Sequence, residues 1–268
     1  MKLRIIIYNT LIVFFLLVAV IFPATFLGEY ARQFFGTIWP LGLVVILALA
    51  GINVFFLLNY RLFTLLEKED WAALAGYLEM KVIEKGRYSS RNIRLLAQSW
   101  LVQGKFDQIS LLEEKISVVK PVLLDNHALI FGVAHILRAG SNNSGGNFIS
   151  AAAFFKARLE KNPRQDWLSW YYGFSLVLAQ SFDEAWTIFE KLGAESPDII
   201  ITGLSAFFLA EMLGQHARAE KGRGRALQAI KTPAAWEKKV AKLKTEVHGV
   251  IIRKYLDDAG PWIFSHKP

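Results

Sequence analysis

Cysteine is missing from all 268 residues, which excludes disulfides, thiolate metal sites and cysteine nucleophiles. The few histidines are scattered, and neither metal-ligand spacing nor a nucleophile elbow accompanies any of them. The glycine-rich stretch 140–147 lacks the Gly-Lys-Ser/Thr ending of a phosphate loop. We therefore predict that the chain is not an enzyme and binds no metal or cofactor.

Charge is almost absent from the first 60 residues, where the charged residues are Lys2, Arg4, Glu29 and Arg32. The uncharged runs Ile5–Leu27 and Phe34–Tyr60 are each longer than the roughly 20 residues that a helix needs to cross a bilayer. They predict a transmembrane hairpin in residues 1–60, with helices at about 5–28 and 34–60. A cleaved signal peptide remains the alternative for the first run, which is longer than a usual signal-peptide core.

Basic residues flank this hairpin unequally. Lys2, Arg4, Arg61 and Lys68 lie on the side of the two termini, and Arg32 lies in the turn. The positive-inside rule then predicts a multi-pass protein of the bacterial inner membrane with its soluble domain in the cytoplasm. Because the difference in charge is small, a periplasmic domain stays open.

Residues 61–233 contain a recurrent pattern. Prolines occur at Pro121, Pro163, Pro197 and Pro233, at intervals of 42, 34 and 36 residues. Phe189, Ala185 and Gly173 precede Pro197 by 8, 12 and 24 residues. Phe155 and Ala151 stand in the same frame before Pro163, and Gly132 takes the small position once the glycine-rich insertion is allowed for. The pattern resembles the tetratricopeptide repeat, a unit of 34 residues made of two helices.

The resemblance implies helix pairs stacked into a solenoid whose concave inner face binds peptides or proteins. The fold class predicted is all-α: the transmembrane hairpin, a tetratricopeptide-like solenoid of antiparallel helix pairs, and a C-terminal capping helix. The repeats are expected at about 55–88, 90–123, 125–165, 166–199 and 200–233. Residues 55–68 belong to both the second hydrophobic run and the first repeat, so one continuous helix is expected to serve both.

The repeat frame also projects residues onto the concave groove. The predicted partner-binding residues are Arg91, Arg94, Gln98, Val133, Trp167, Trp170, Phe174, Val177, Leu204 and Phe208. The aromatic members can form a slot for an amphipathic partner helix. They can equally pack helix against helix inside the array, and both interpretations stay open.

The net charge of +8 is concentrated near the C-terminus. Apolar residues from Trp236 to Ile251 recur at spacings of three and four, which predicts one amphipathic helix over 234–255 within a capping segment, 234–268. Its basic surface is predicted to consist of Arg223, Arg225, Lys238, Lys239 and Lys242. This surface can solvate the cap of the solenoid or contact anionic lipid headgroups or an acidic partner. No nucleic-acid motif accompanies the charge, so no nucleic acid is expected.

These features favour a membrane-anchored scaffold or adaptor that mediates protein–protein interactions in a multi-subunit bacterial envelope complex. A structural part of a large machine, such as a flagellar motor or a secretion system, is one instance, and self-association is another way to build such a complex. The alternative is a chaperone-like assembly or quality-control factor that holds client proteins at the membrane.

Overall fold

The computed structural model describes residues 30–141 and 147–265, together with Phe14, Val18 and Thr25. Every regular element in this part of the chain is helical, which confirms the predicted all-α class. The chain divides into two compact units, residues 1–77 and 78–268, and each is described by itself.

The first unit contains α1 (Tyr30–Glu67), a helix of 38 residues that continues through Pro40, and most of α2 (Trp71–Glu79). Within α1, the segment Leu43–Glu67 is long and apolar enough to cross a membrane, with a mean hydropathy of 2.3. Its apolar side chains are exposed rather than packed, as at Leu57 and Leu58, each 76% exposed. A helix that is apolar and uncovered on several sides is suited to lipid rather than to a protein core.

Polar side chains in α1 bond to the backbone of the same helix. The amides of Asn53 and Asn59 donate to the carbonyls of Leu49 and Phe55, and the Thr64 hydroxyl donates to the carbonyl of Tyr60, at 2.8–2.9 Å. These bonds lower the cost of placing the polar groups in an apolar medium.

The second predicted membrane helix, 34–60, lies inside α1, and the expected continuity past Tyr60 is confirmed because α1 ends at Glu67. The first predicted helix, 5–28, lies outside the described residues except at Phe14, Val18 and Thr25, each of which is helical. In the part of the chain that the structure describes, α1 supplies the single candidate span. The hairpin and the signal-peptide alternative therefore stay predictions.

The second unit is a succession of helices joined by short turns. After the π-helical turn Met80–Glu84 come α3 (Ser90–Val102), α4 (Phe106–Val119), the short α5 (Pro121–Asn126), α6 (Ala128–Ser141), α7 (Phe148–Lys161), α8 (Asp166–Leu178), α9 (Phe182–Glu195), α10 (Ile199–Phe207), which continues as the π-helical turn Phe208–Met212, and α11 (His216–Ala229). Neighbours in sequence pack together, as α3 does with α4, α6 with α7, α8 with α9, and α10 with α11.

The same backbone turn recurs along the chain. Residues with positive φ stand at Glu69 (53°), Gly104 (68°), Gln180 (61°) and Gly214 (65°). After the first three, the next residue donates its N–H to the carbonyl five residues back, at 2.9–3.2 Å. This is a Schellman cap, which satisfies the last carbonyls of a helix and reverses the chain. Gln215 reaches one residue further, to Leu209, because the preceding π-helical turn adds a residue.

Two glycines allow close contact between paired helices. A Cβ on Gly132 of α6 would overlap the Phe155 ring of α7. A Cβ on Gly173 of α8 would lie 3.0 Å from Cζ of Phe189 in α9, again tighter than ordinary packing. Both rings are fully buried, so a large ring fills the space that each glycine leaves.

The C-terminal segment differs from its prediction. The single helix expected over 234–255 is three helices: α12 (Pro233–Leu243), α13 (Val247–Ile251) and α14 (Arg253–Ser265). The chain turns at Lys244–Glu246, and Gly249 then passes so close to the Leu243 carbonyl that a Cβ would overlap it. The break therefore depends on a glycine that has no side chain to obstruct the return.

Candidate interaction site on the inner face

The first helices of the pairs, α3, α6, α8 and α10, contact one another in order and form what is here named the inner face. The C-terminal segment lies across part of this face. The Tyr171 hydroxyl of α8 donates to the carbonyl of His248 at 2.7 Å, and the His248 ring is 5.4 Å from that of Trp167. The Tyr255 ring lies 4.9 Å from Phe208 and 5.8 Å from Phe174. The aromatic half of the inner face is therefore covered by the chain's own α13 and α14.

Beneath this cover the aromatic rings form a continuous cluster. Trp170 is fully buried, with ring centroids 5.4 Å from Phe174, 5.1 Å from Phe208 and 5.9 Å from Phe189. The arrangement joins α8, α9 and α10 through aromatic contacts in offset and edge-on geometries. These rings pack helix against helix, which is one of the two interpretations that the sequence left open.

The predicted open groove is therefore wrong for its aromatic and aliphatic centre. Val133, Trp170, Phe174, Leu204 and Phe208 are each 0–4% exposed. Trp167 and Val177 are half-buried. The frame placed all of these side chains on the inner face, but it contained no information on the segment that returns to cover them.

The C-terminal segment is attached by close packing at its far end as well. A Cβ on Gly203 of α10 would lie 3.0 Å from Cζ3 of Trp236 and 2.8 Å from Cδ1 of Ile263. The indole N–H of Trp236 donates to the Leu256 carbonyl at 3.2 Å, which joins α12 to α14. Because Trp236 and Ile263 are fully buried, this segment is part of the core of the unit.

Two of the five predicted surface cations are structural. Arg223 is 5% exposed, donates from Nε to the Ile263 carbonyl at 3.2 Å and lies over the Trp262 ring. Arg225 donates to the carbonyls of Gly193 and Ser196 at 2.9 and 3.0 Å, where it caps the end of α9. The prediction of a surface role is therefore wrong for both, because each guanidinium satisfies backbone carbonyls.

The remaining three predicted cations, Lys238, Lys239 and Lys242, are exposed on α12. Within the described residues none of them forms an ion pair or a side-chain hydrogen bond. Lys244, two residues beyond Lys242, contrasts with them because its ammonium contacts both Glu237 and Asp257. The exposed lysines of α12 therefore leave positive charge that the unit does not neutralise.

The other end of the inner face is basic and remains uncovered. Arg91 and Arg94 are exposed on α3, and Gln98 is half-buried one turn further on. Beside them the Ser90 hydroxyl contacts Nε2 of His127 at 2.9 Å. Burial lowers the pKa of His127, and the charge of Arg94 acts in the same direction although the Ser90 contact opposes it. This uncovered group, Arg91, Arg94 and Gln98, is named the basic end.

Catalytic or metal chemistry has no geometric support in the residues that the structure describes. No group of three or more His, Asp or Glu side chains within 30–141 and 147–265 could hold a metal ion. The contact between Ser90 and His127 is near the arginines of the basic end, and no carboxylate contacts the imidazole within the described chain. The absence of enzymatic activity stays a prediction.

Sequence reasoning missed the residues that cover the inner face, Tyr171, His248 and Tyr255. Their contacts join positions 77 or more residues apart in the chain, as between Tyr171 and His248. The available signal was Gly249, which is unfavourable in the middle of a helix and marks the turn into α13.

Comparison with known proteins places these features in context. A family model described as "Uncharacterised Treponema protein" matches residues 108–265, more than half of the chain. A protein of Treponema pallidum (strain Nichols), described as "Uncharacterized protein", is 28% identical over 237 residues, which cover 83% of this chain and 74% of that protein. The family match includes the aromatic half of the inner face and the segment that covers it.

Proposed function

We propose that this chain, which belongs to the Treponema family whose model it matches, is a membrane-anchored helical-repeat scaffold that docks other proteins. The observation that carries the proposal is the inner face, which holds the helical segments α13 and α14 through Tyr171, Phe174 and Phe208. A surface that binds helices of its own chain along one half has a shape suited to binding a partner along the other half.

The repeat architecture that we infer is tetratricopeptide-like. The recurring turns at Glu69, Gly104, Gln180 and Gly214 are 34 or 35 residues apart, or about twice that where the unit between them carries an insertion. The contacts of Gly132 with Phe155 and of Gly173 with Phe189 pair a small residue on a first helix with a large ring on the second. These features support the resemblance without depending on any one residue.

The membrane anchor that we propose is a hairpin of the first hydrophobic run and α1. The exposed apolar surface of Leu43–Glu67 supports the second crossing. The length and composition of Ile5–Leu27 support the first. With the basic residues Lys2, Arg4, Arg61 and Lys68 on one side, the inference is an inner-membrane protein with a cytoplasmic domain.

The partner chemistry follows from the basic end. Arg91 and Arg94 present guanidinium groups one turn apart on α3, and such groups bind carboxylates through paired hydrogen bonds. The expected partner is therefore an acidic segment, helical or extended, of another subunit in an envelope complex. A flagellar motor or a secretion system is the kind of assembly in which such a scaffold would act.

The test uses the full chain in native membranes, crosslinked, extracted in mild detergent and analysed by mass spectrometry. A scaffold is expected to recover a partner in fixed ratio, and the double variant Arg91→Glu, Arg94→Glu is expected to lose it. Lys115→Glu, an exposed charge reversal on α4, is the matched control and should retain the partner.

Two outcomes would contradict the scaffold. A mixed, substoichiometric set of proteins would identify a chaperone-like factor instead. Unchanged recovery of the fixed-ratio partner by the double variant would remove the basic end from the interaction. Circular dichroism of each variant establishes that the helices are intact, because the substituted side chains lie on the surface.

A further inference from the structure

We propose that the exposed lysines of α12, Lys238, Lys239 and Lys242, form a contact site for anionic lipid headgroups. The inference goes beyond protein docking and rests on the proposed membrane anchoring. It concerns a different surface from the basic end, which lies on α3.

The site is a region of unneutralised charge. Between His216 and Ser265, within the described chain, seven cations form neither an ion pair nor a side-chain hydrogen bond: Lys221, Lys231, Lys238, Lys239, Lys242, Arg253 and Lys254. The acids of the same segment do little to balance them. Glu220 contacts the buried Arg223, and Glu237 and Asp257 both contact Lys244. A clustered excess of one sign produces a potential that attracts a surface of opposite charge.

The three lysines of α12 are held on a rigid element. Trp236 and Val240 are fully buried and Leu243 is 7% exposed, so one side of the helix is fixed to the core. With 3.6 residues per turn, Lys238 and Lys242 lie one turn apart on the opposite side, and Lys239 lies next to them. The ammonium groups therefore project together into solvent.

The chemistry of this surface fits headgroups better than nucleic acid. Lysine is a strongly hydrated point charge on a flexible stem, and it attracts a diffuse layer of phosphates without needing a fixed geometry. The aromatic residue of α12, Trp236, is buried and cannot stack on a base.

Anchoring makes the lipid interaction effective. A chain held at a bilayer by α1 encounters headgroups at a high effective concentration, so a weak interaction at each lysine is sufficient. Each lysine near an anionic surface is expected to shift the bound-to-free ratio about fivefold, and three together roughly a hundredfold. Salt should weaken the effect through screening.

The experiment uses the full chain reconstituted into vesicles. Because the protein has no cysteine, Ala241→Cys provides a unique position on the exposed part of α12 for an environment-sensitive fluorophore. Vesicles of phosphatidylcholine alone or with phosphatidylglycerol carry a headgroup-located quencher. We expect stronger quenching with phosphatidylglycerol, reversed by salt.

The triple variant Lys238→Gln, Lys239→Gln, Lys242→Gln in the same labelled background should lose the phosphatidylglycerol-dependent quenching, with a bound-to-free ratio roughly a hundredfold lower. The matched control is Lys85→Gln, Lys105→Gln, Lys115→Gln, which removes three exposed lysines elsewhere and should leave the quenching unchanged. An unchanged melting curve of both variants establishes that folding is intact.

Quenching that does not depend on phosphatidylglycerol would overturn the lipid site. If the triple variant instead loses recovery of an acidic protein while its quenching is unchanged, α12 is a protein-binding surface and the lipid proposal is wrong. Failure of the anchor is distinguishable, because the labelled chain would then fail to float with vesicles of either composition.

Discussion

Gly132 sets the distance between α6 and α7, since a Cβ there would overlap the Phe155 ring. We expect Gly132→Ala to lower the free energy of unfolding by about 1–3 kcal/mol through overpacking. Gly224 is the matched control in the interior of α11, where a Cβ would meet nothing within 4 Å. There the same change should raise the free energy by about 1 kcal/mol through helix propensity. Urea unfolding measures both, and equal losses would contradict the packing argument.

His248 should make the unit sensitive to acid. Burial lowers its pKa below the usual 6.5, although nearby Glu246 opposes the shift. The unfolded chain therefore takes up this proton more readily than the folded one. The stabilisation is fully present above pH 6.5 and is lost as the pH falls through the folded-state pKa.

The measurement is the melting temperature as a function of pH. His248→Phe keeps a ring against Trp167 but cannot be protonated, so it should lose less stability in acid than the unaltered chain. His216→Phe is the control at an exposed position and should retain the full acid loss. Parallel acid curves for all three proteins would exclude His248 as the source.

At the scale of elements, α8 is joined to α9 and α10 through Trp170. Trp170→Ala should open a cavity and lower the free energy of unfolding by about 3–5 kcal/mol. Trp186→Ala is the comparison, because Trp186 is half-buried and its ring is covered by the Arg218 guanidinium at 4.0 Å. It should lose only about 1 kcal/mol. Circular dichroism melting separates them, and an unaffected Trp170 variant would return this side chain to the binding surface.

The sequence predicted the pairs of helices well because their determinants are local. The spacing of Gly173 and Phe189 before Pro197 follows directly from one unit of the repeat, and the structure brings that glycine and ring together. The C-terminal segment was predicted less well. Leu243 and Val247 continue the helical spacing across a turn, so periodicity alone does not reveal the break.

The candidate site was predictable in position but not in state. The frame placed Trp167, Trp170 and Phe174 on one face of a helix, and that is where they lie. Their burial depends on His248 and Tyr255, whose contacts are set by the tertiary return of the chain. Local pattern carries no information on such a distant partner, and the same limit applied to Arg223 and Arg225.

For the whole molecule, the proposed hairpin predicts integral membrane association. Alkaline carbonate removes peripheral proteins, so the chain should remain in the membrane pellet because two crossings exceed what surface binding requires. A variant that lacks residues 1–60 is the control and should be released. Release of the full chain into the supernatant would contradict the hairpin.

The proposed orientation is tested at the end of α6. Ser141 is exposed there, and in a protein without cysteine Ser141→Cys is a unique target for a membrane-impermeant maleimide. With the domain in the cytoplasm, intact spheroplasts should protect this cysteine and permeabilised ones should label it. Labelling of intact spheroplasts would place the domain in the periplasm.

The position of the covering segment at the end of the chain has a consequence for synthesis. Tyr255 emerges from the ribosome 85 residues after Trp170, a delay of roughly 4 to 17 seconds at ordinary elongation rates. Until then the rings of Trp167, Phe174 and Phe208 have no cover on a nascent chain that already carries an apolar α1. The ribosome therefore releases this domain with its last core element still to dock, and translation termination sets the earliest time at which the native fold can be completed.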